Sequence, residues 1–375
     1  MEGVKPGAGL RNVVAGESGI SSIDGERGVL AYRGIDIHAL AERSTFDEVV
    51  FLLHRGRLPK RAELTAFTQE RARERPVPAP VLALVRLLPP STHPMTSLRT
   101  AVSALGAFDP DAGDDAAPAN ARKALRLTAQ MATVVALVER VRKGREPIPP
   151  DPALSHAANF LYMLTGERPR PEAEHAMDVA LILHADHEFN ASTFAARVAA
   201  STLADVHGSV TAALATLKGP LHGGANEAVM MTLQEIGTLD RAEGWVRDAL
   251  AAKKKIMGFG HAVYRTEDPR ATHLRRMSRQ LGEAQRDRRW YDLSERLEAL
   301  VRAHKNLNAN VDFYSASVYH SLGIPTDMFT PVFAVSRVAG WTAHVLEQLG
   351  HNRLIRPESE YTGPRDVEYV PLDRR

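Results

Sequence analysis

The sequence predicts a mostly α-helical protein with one small β-hairpin near its N-terminus. Three observations support this. No stretch sustains the apolar–polar alternation that would build a large sheet. Nearly everything after the hairpin carries helical spacing, with cap and stop residues at several ends. No segment recurs at a fixed period, which argues against a repeat architecture.

The hairpin is read from ISSIDGERGVLAYRG, where Asp24-Gly25 supplies turn residues that tolerate positive φ between short apolar runs. In STFDEVVFLLHRG, Thr45 is placed as N-cap, Glu48 as its capping-box partner and Gly56 as the stop. LPKRAELTAFTQERARER follows, with Pro59 near its start. Residues 108–120, rich in Asp, Ala and Pro, read as a solvated loop. ARKALRLTAQMATVVALVERVRKG is a long helix ending at Gly144, followed by the proline-dense connection REPIPPDP. AMDVALILHADHEFNASTFAARVAASTLADVHGSVTAAL holds two or three helices with alanine-rich faces suited to close packing. Residues 271–305 read as solvated helical faces carrying i, i+4 pairs such as Glu298–Arg302.

A chain of 375 residues exceeds what one compact core usually holds, so two domains are expected. Lys+Arg 47 against Asp+Glu 45 leaves a net charge of +2 and no reason to expect nucleic acid. The absence of cysteine excludes disulfides, thiol nucleophiles and cysteine–zinc sites, and fits a reducing, cytoplasmic setting. MEGVKPGAGL lacks the pattern of a secretory signal. Apolar stretches such as MATVVALV fall short of the ~20 residues a bilayer span needs, so no membrane partner is expected.

Chemistry concentrates in a few places. In GPLHGGANEAVMM, His222 precedes a helix start whose dipole disfavours a second proton, leaving a neutral hydrogen-bond donor; a turn histidine held by backbone bonds is the bland alternative. In GFGHAVYRTEDPR, Gly258 and Gly260 frame His261 and let main chain approach a ligand, while Arg265 and Arg270 add donor forks that match carboxylate or phosphate. His184 and His187 lie three apart in LILHADHEFNAST, but no further ligand cluster accompanies them, and no metal is expected. Asp312 opens a helix as either N-cap or general base. Arg337 sits inside an apolar run, so a buried guanidinium there needs a carboxylate or an anionic ligand.

In order and spacing, GPLHGGAN, GFGHAVYRTEDPR, NVDFYSA, SRVAGWTAH, RPESEY, SIDGERGVLAYRGIDI and HPMTSLRTAVSALG resemble the citrate synthase family, 2-methylcitrate synthases included. The resemblance implies an all-α, two-domain fold, with 1–222 and 321–375 forming the large domain and 223–320 a small, mobile one. It implies that His222, His261 and Asp312 form the catalytic set. His187, Arg270, Arg337 and Arg356 would hold oxaloacetate, Arg356 reaching across a homodimer interface. Lys255, Ile256, Met257, Gly258, Phe259, Arg265 and Asn310 would contact the acyl-CoA, which is a co-substrate; no permanently bound cofactor is implied. Since the SIDGERG segment comes within about twenty residues of Met1, a simple dimer without an NADH-responsive N-terminal domain is expected.

Overall fold

The computed structural model describes residues 8–10 and 13–375. The absence of a signal pattern was read largely on residues 1–7, which lie outside that description. Strands β1 (Ser21–Asp24), β2 (Val29–Tyr32) and β3 (Ile35–Asp36) form one antiparallel sheet in the order β1-β2-β3. Asp24 pairs with Val29, so the first turn holds four residues rather than being built on Asp24-Gly25. The Asp24 carboxylate accepts the amides of Glu26 at 3.1 Å and Arg27 at 2.9 Å, and the left-handed residue is Gly28, with φ 67°. Gly25 does not use a positive φ.

The α-helices of the described chain, joined by loops and short 3-10 turns, are α1 (Ile37–Arg43), α2 (Phe46–Arg55), α3 (Arg61–Arg73), α4 (Ala79–Leu87), α5 (Pro94–Ala107), α6 (Ala117–Arg142), α7 (His156–Thr165), α8 (Pro171–His184), α9 (Ala191–Ser201), α10 (Val206–Leu217), α11 (Ala225–Ile236), α12 (Ala242–Ala251), α13 (Pro269–Gln285), α14 (Arg289–Lys305), α15 (Val311–Ser321) and α16 (Phe329–Gly350). Helix α2 has the full Thr45–Glu48 capping box and ends on Gly56 at φ 76°. The 108–120 segment is less solvated than its composition suggests. Asp109 is buried because Arg126 reaches it at 2.7 Å and His207 packs at 3.5 Å.

Helix α16 organises the interior. It is predominantly apolar around its circumference, and a helix of that kind is stable only when surrounded. Helices α2, α6, α8, α9 and α10 surround it, leaving every residue from Phe329 to Val345 buried. Helices α11–α15 pack mainly on one another, with α13 also resting on α8 and α1. Here the charged 271–305 stretch departs from a simple solvated face. Glu298 does not pair with Arg302; it turns inward to accept Arg275 of α13 and the Tyr314 hydroxyl of α15, both at 2.5 Å. Among the described residues, no helix is long and apolar enough to cross a membrane.

Candidate active site

His222 lies in the turn between α10 and α11, and the ring is half-buried. The Ser192 amide, in the first turn of α9, donates to Nε2 at 3.3 Å, and Ser192 Oγ lies 2.8 Å from the same nitrogen. An amide can only donate, so Nε2 accepts and the ring proton sits on Nδ1. Burial, then the field of Arg337, lowers the pKa to about 4. The ring is therefore neutral, as expected. The causes are burial and Arg337, and the helix terminus that touches the ring belongs to α9 rather than α11.

His261 has the opposite tautomer. Its Nδ1 accepts the amides of Val263 at 3.0 Å and Tyr264 at 3.3 Å, which leaves the proton on Nε2. Burial and Arg270 lower this pKa to about 4 as well, against the opposing field of Asp268. The His187 ring stands 5.2 Å from that of His261 and shares a 3.2 Å contact with the Tyr264 hydroxyl. Burial, helped by Arg270, His261 and Arg337, holds His187 well below the usual imidazole range.

Asp312 occupies the first turn of α15 but does not cap it. The cap is Asn310, whose Oδ1 accepts the Asp312 amide at 3.0 Å. No hydrogen bond reaches the Asp312 carboxylate from any described residue. Burial pushes its pKa up to about 6, with Arg270 and Arg337 pulling down and Asp268 pushing up.

Two buried guanidiniums complete the cluster, and they differ. Arg270 is neutralised by Asp268 through contacts of 2.9 and 2.8 Å; burial works against its charge, but Asp268 more than offsets this. Asp268 also caps α13 and accepts the Val311 amide at 3.0 Å, tying the starts of α13 and α15 together. Among the described residues, Arg337 has no carboxylate within ion-pair distance. Its Nε donates to the His184 carbonyl at 2.7 Å, its guanidinium lies over Phe333 at 4.5 Å, and no acceptor among the described residues meets its two terminal nitrogens. Burial lowers its pKa to about 10, so it stays charged. The charge of Arg337 bears on His187, His222 and Asp312, and that of Arg270 on His187, His261 and Asp312, so the two guanidinium fields overlap on His187 and Asp312.

The family model for the citrate synthase C-terminal domain matches residues 9–358. The chain belongs to the citrate synthase family. It is 50% identical to citrate synthase 2 of Bacillus subtilis across 98% of each chain. It is 45% identical to a 2-methylcitrate synthase of Mycobacterium tuberculosis, over 95% of this chain and 90% of that one. A solved citrate synthase from Thermoplasma acidophilum, in ternary complex with carboxymethyl coenzyme A and oxaloacetate, superposes with a TM-score of 0.92 at 34% identity, covering 98% of this chain and 99% of that one. The all-α fold read from the sequence is the fold of this acyltransferase family.

In this citrate synthase-family chain the residues expected at the CoA are spread along the 255–265 segment. Lys255 and Arg265 are exposed, Met257 is half-buried, and Ile256 and Phe259 are buried. Of the two glycines, Gly260 does not leave its amide free, and Gly258 has its carbonyl engaged. Gly260 N donates to Asn308 O and Asn310 N to Gly258 O, both at 2.9 Å, in a bridge pairing Phe259 with Ala309. Gly258 answers to its left-handed backbone, φ 85°, and to packing, since a Cβ there would fall 2.7 Å from Val229 and 2.8 Å from Phe313. Arg356 is not brought to this cleft; it is exposed and lines a separate cavity of about 970 Å³ with Phe189, Phe194 and Glu347. His184 and His187 do not converge. His184 Nδ1 meets the Ala180 carbonyl at 2.7 Å and the ring packs on Phe333, away from the His187 contacts. Sequence reasoning missed Ser192, Tyr264 and the pairing of Asp268 with Arg270. Tyr264 and Asp268 stood inside a quoted motif; Ser192 looked like an ordinary first-turn serine.

Proposed function

We propose that this citrate synthase-family enzyme condenses acetyl-CoA with oxaloacetate and hydrolyses citryl-CoA to citrate and CoA. The observation that supports the reading is a buried Arg337 with no carboxylate partner among the described residues, whose charge bears on a neutral His222 and an unbonded Asp312 carboxylate, beside a second neutral imidazole, His261, of the opposite tautomer. In this reading Asp312 takes a proton from the methyl carbon of acetyl-CoA. A carboxylate is too weak a base to do so alone, so His222 Nδ1–H donates to the thioester oxygen as charge gathers there. The new carbon nucleophile attacks the ketone carbon of oxaloacetate while His261 Nε2–H donates to the ketone oxygen. Water then cleaves the C–S bond, and CoA leaves as the thiol.

Arg337, Arg270 and His187 hold the two carboxylates of oxaloacetate, and Arg356 of the partner subunit completes that set in a homodimer. The exposed position of Arg356, outside its own cleft, supports the exchange. Lys255, Arg265 and the backbone of 255–259 receive the CoA. Asn310 serves from behind, since both ends of its side chain are engaged by main chain. Residues 223–320 form the small domain, closing on 1–222 and 321–375 when oxaloacetate binds; the mutual packing of α11–α15 supports that division. The setting is cytoplasmic, in keeping with a cysteine-free composition.

Propionyl-CoA is the second reading, favoured by the 45% identity to a 2-methylcitrate synthase. One methylene in an apolar pocket discriminates by about 1–3 kcal/mol, so activity with both donors is compatible with one site. The test is thiol release from each acyl-CoA, followed with a chromogenic thiol reagent. Oxaloacetate-dependent release, faster for acetyl-CoA, is expected. Release indifferent to oxaloacetate would refute the condensation, and a larger kcat/KM for propionyl-CoA would reverse the donor.

A further inference from the structure

The SIDGERG hairpin has no role in the chemistry above, yet it touches both histidine loops. Its root is bonded to the loop that carries His187. Ser21 Oγ donates to Asp186, the Glu188 amide donates to Ser21 Oγ at 3.0 Å, and the Ile23 amide donates to the Glu188 carboxylate at 2.7 Å. Its tip meets the loop that carries His261, where the Arg265 amide donates to the Gly25 carbonyl at 2.9 Å. The fit at the tip is tight. A Cβ on Gly25 would fall 2.4 Å from the Val263 carbonyl oxygen, and one on Gly28 would fall 2.7 Å from Thr266 Cγ2. Gly25 does not use a positive φ, so its own backbone imposes no demand for glycine. The docked 263–267 segment does. That segment contains Val263 and Tyr264, whose amides set the His261 tautomer.

We propose that the hairpin tip is a latch: docking of Val263 and Arg265 on Gly25 positions the His261 ring opposite His187, and Gly25 is a positioning residue for the condensation. The proposal rests on the citrate synthase reading for its kinetic consequence, but the docking itself does not. Tryptic cleavage after Arg265, an exposed arginine beside the contact, reports docking without any substrate.

The test uses the full-length enzyme and Gly25→Ala, with Gly34→Ala as a control. Gly34 sits at the other turn of the same sheet, and a Cβ there meets nothing within 4 Å. Gly25→Ala is expected to speed cleavage after Arg265 at least about fivefold, leave cleavage elsewhere unchanged, and lower kcat/KM for oxaloacetate at least about tenfold. Gly34→Ala should lower the melting temperature without changing either ratio. Unchanged Arg265 cleavage and kinetics in Gly25→Ala would overturn the latch, as would global unfolding, because the contact would then belong to the fold. Selective cleavage in a protein whose parent shows no oxaloacetate-dependent thiol release would uphold the docking and sink the catalytic reading instead.

Discussion

The side-chain amide of Asn310 donates to the Gly260 carbonyl at 2.9 Å, while its Oδ1 caps α15 through the Asp312 amide at 3.0 Å. One side chain thus couples the residue before His261 to the turn that presents Asp312. Asn310→Ala removes both bonds. The cap alone is worth about 1 kcal/mol, a modest stability loss. The expected signature is a kcat at least about tenfold lower, with KM for oxaloacetate changed less than threefold. A lower denaturation midpoint with normal kcat would reduce Asn310 to a cap.

Asp312→Asn preserves size and removes the base. Turnover is expected to fall by about 10²–10⁴, the usual worth of a positioned proton acceptor. Oxaloacetate binding, measured by calorimetry, should persist, because Arg270 and Arg337 are untouched. Near-normal turnover would leave Asp312 with no chemical role, since Asn310 already caps the helix.

The acid limb of the rate profile follows from the same carboxyl. Burial raises Asp312 to about 6, and the base must be ionised to work, so kcat should rise with pH through about 6 and level off above. His222 and His261, both at about 4, are neutral across that range and add no limb there. The profile should lose this limb in Asp312→Asn. A midpoint near 4 in the parent enzyme would show an ordinary, solvated carboxylate.

The helices were legible because their ends are written locally: Thr45, Glu48 and Gly56 do at α2 what those residue types do in isolation. His222 and His261 stood out because glycines flank them, and their neutrality could be argued before any neighbour was known. What could not be read was whatever depends on contacts distant in sequence. Ser192 lies 30 residues from the ring it orients. Gly258 is a glycine because its φ is 85° and because Val229 and Phe313 crowd it, the second reason being carried by two other helices. Glu298 had a correctly spaced partner in Arg302, yet tertiary packing against Arg275 and Tyr314 prevailed over the local i, i+4 pairing.

Arg337→Leu removes a buried guanidinium that has no carboxylate partner among the described residues. Leucine fits an apolar helix lined by Phe333, so the fold should hold or gain slightly, as often happens when a buried charge is replaced by a packed apolar group. Binding of a dianion should suffer. KM for oxaloacetate is expected to rise about 100-fold, reflecting about 2–3 kcal/mol for a charge-assisted contact, with KM for acetyl-CoA shifted far less. Equal shifts in both constants would mark Arg337 as structural.

Asp178 offers a test of the fold's own electrostatics, away from the cleft. The buried carboxyl accepts the Phe46 amide at 3.3 Å, and burial, helped by Asp47, pushes its pKa up to about 7 against the pull of Arg71. An unfolded aspartate titrates near about 3.9. Between those values the folded state keeps a proton that the unfolded chain releases. This contribution to stability is therefore fully present below about 4 and is lost as pH rises through about 7. Asp178→Asn keeps an acceptor for Phe46 and cannot ionise. It should be more stable than the parent above pH 7, by an amount on the order of 4 kcal/mol, and close to it at pH 4. Urea denaturation midpoints of both proteins across that range decide the matter. Parallel pH curves would show that Asp178 is ionised at neutral pH despite its burial, with the nearby Arg71 outweighing desolvation.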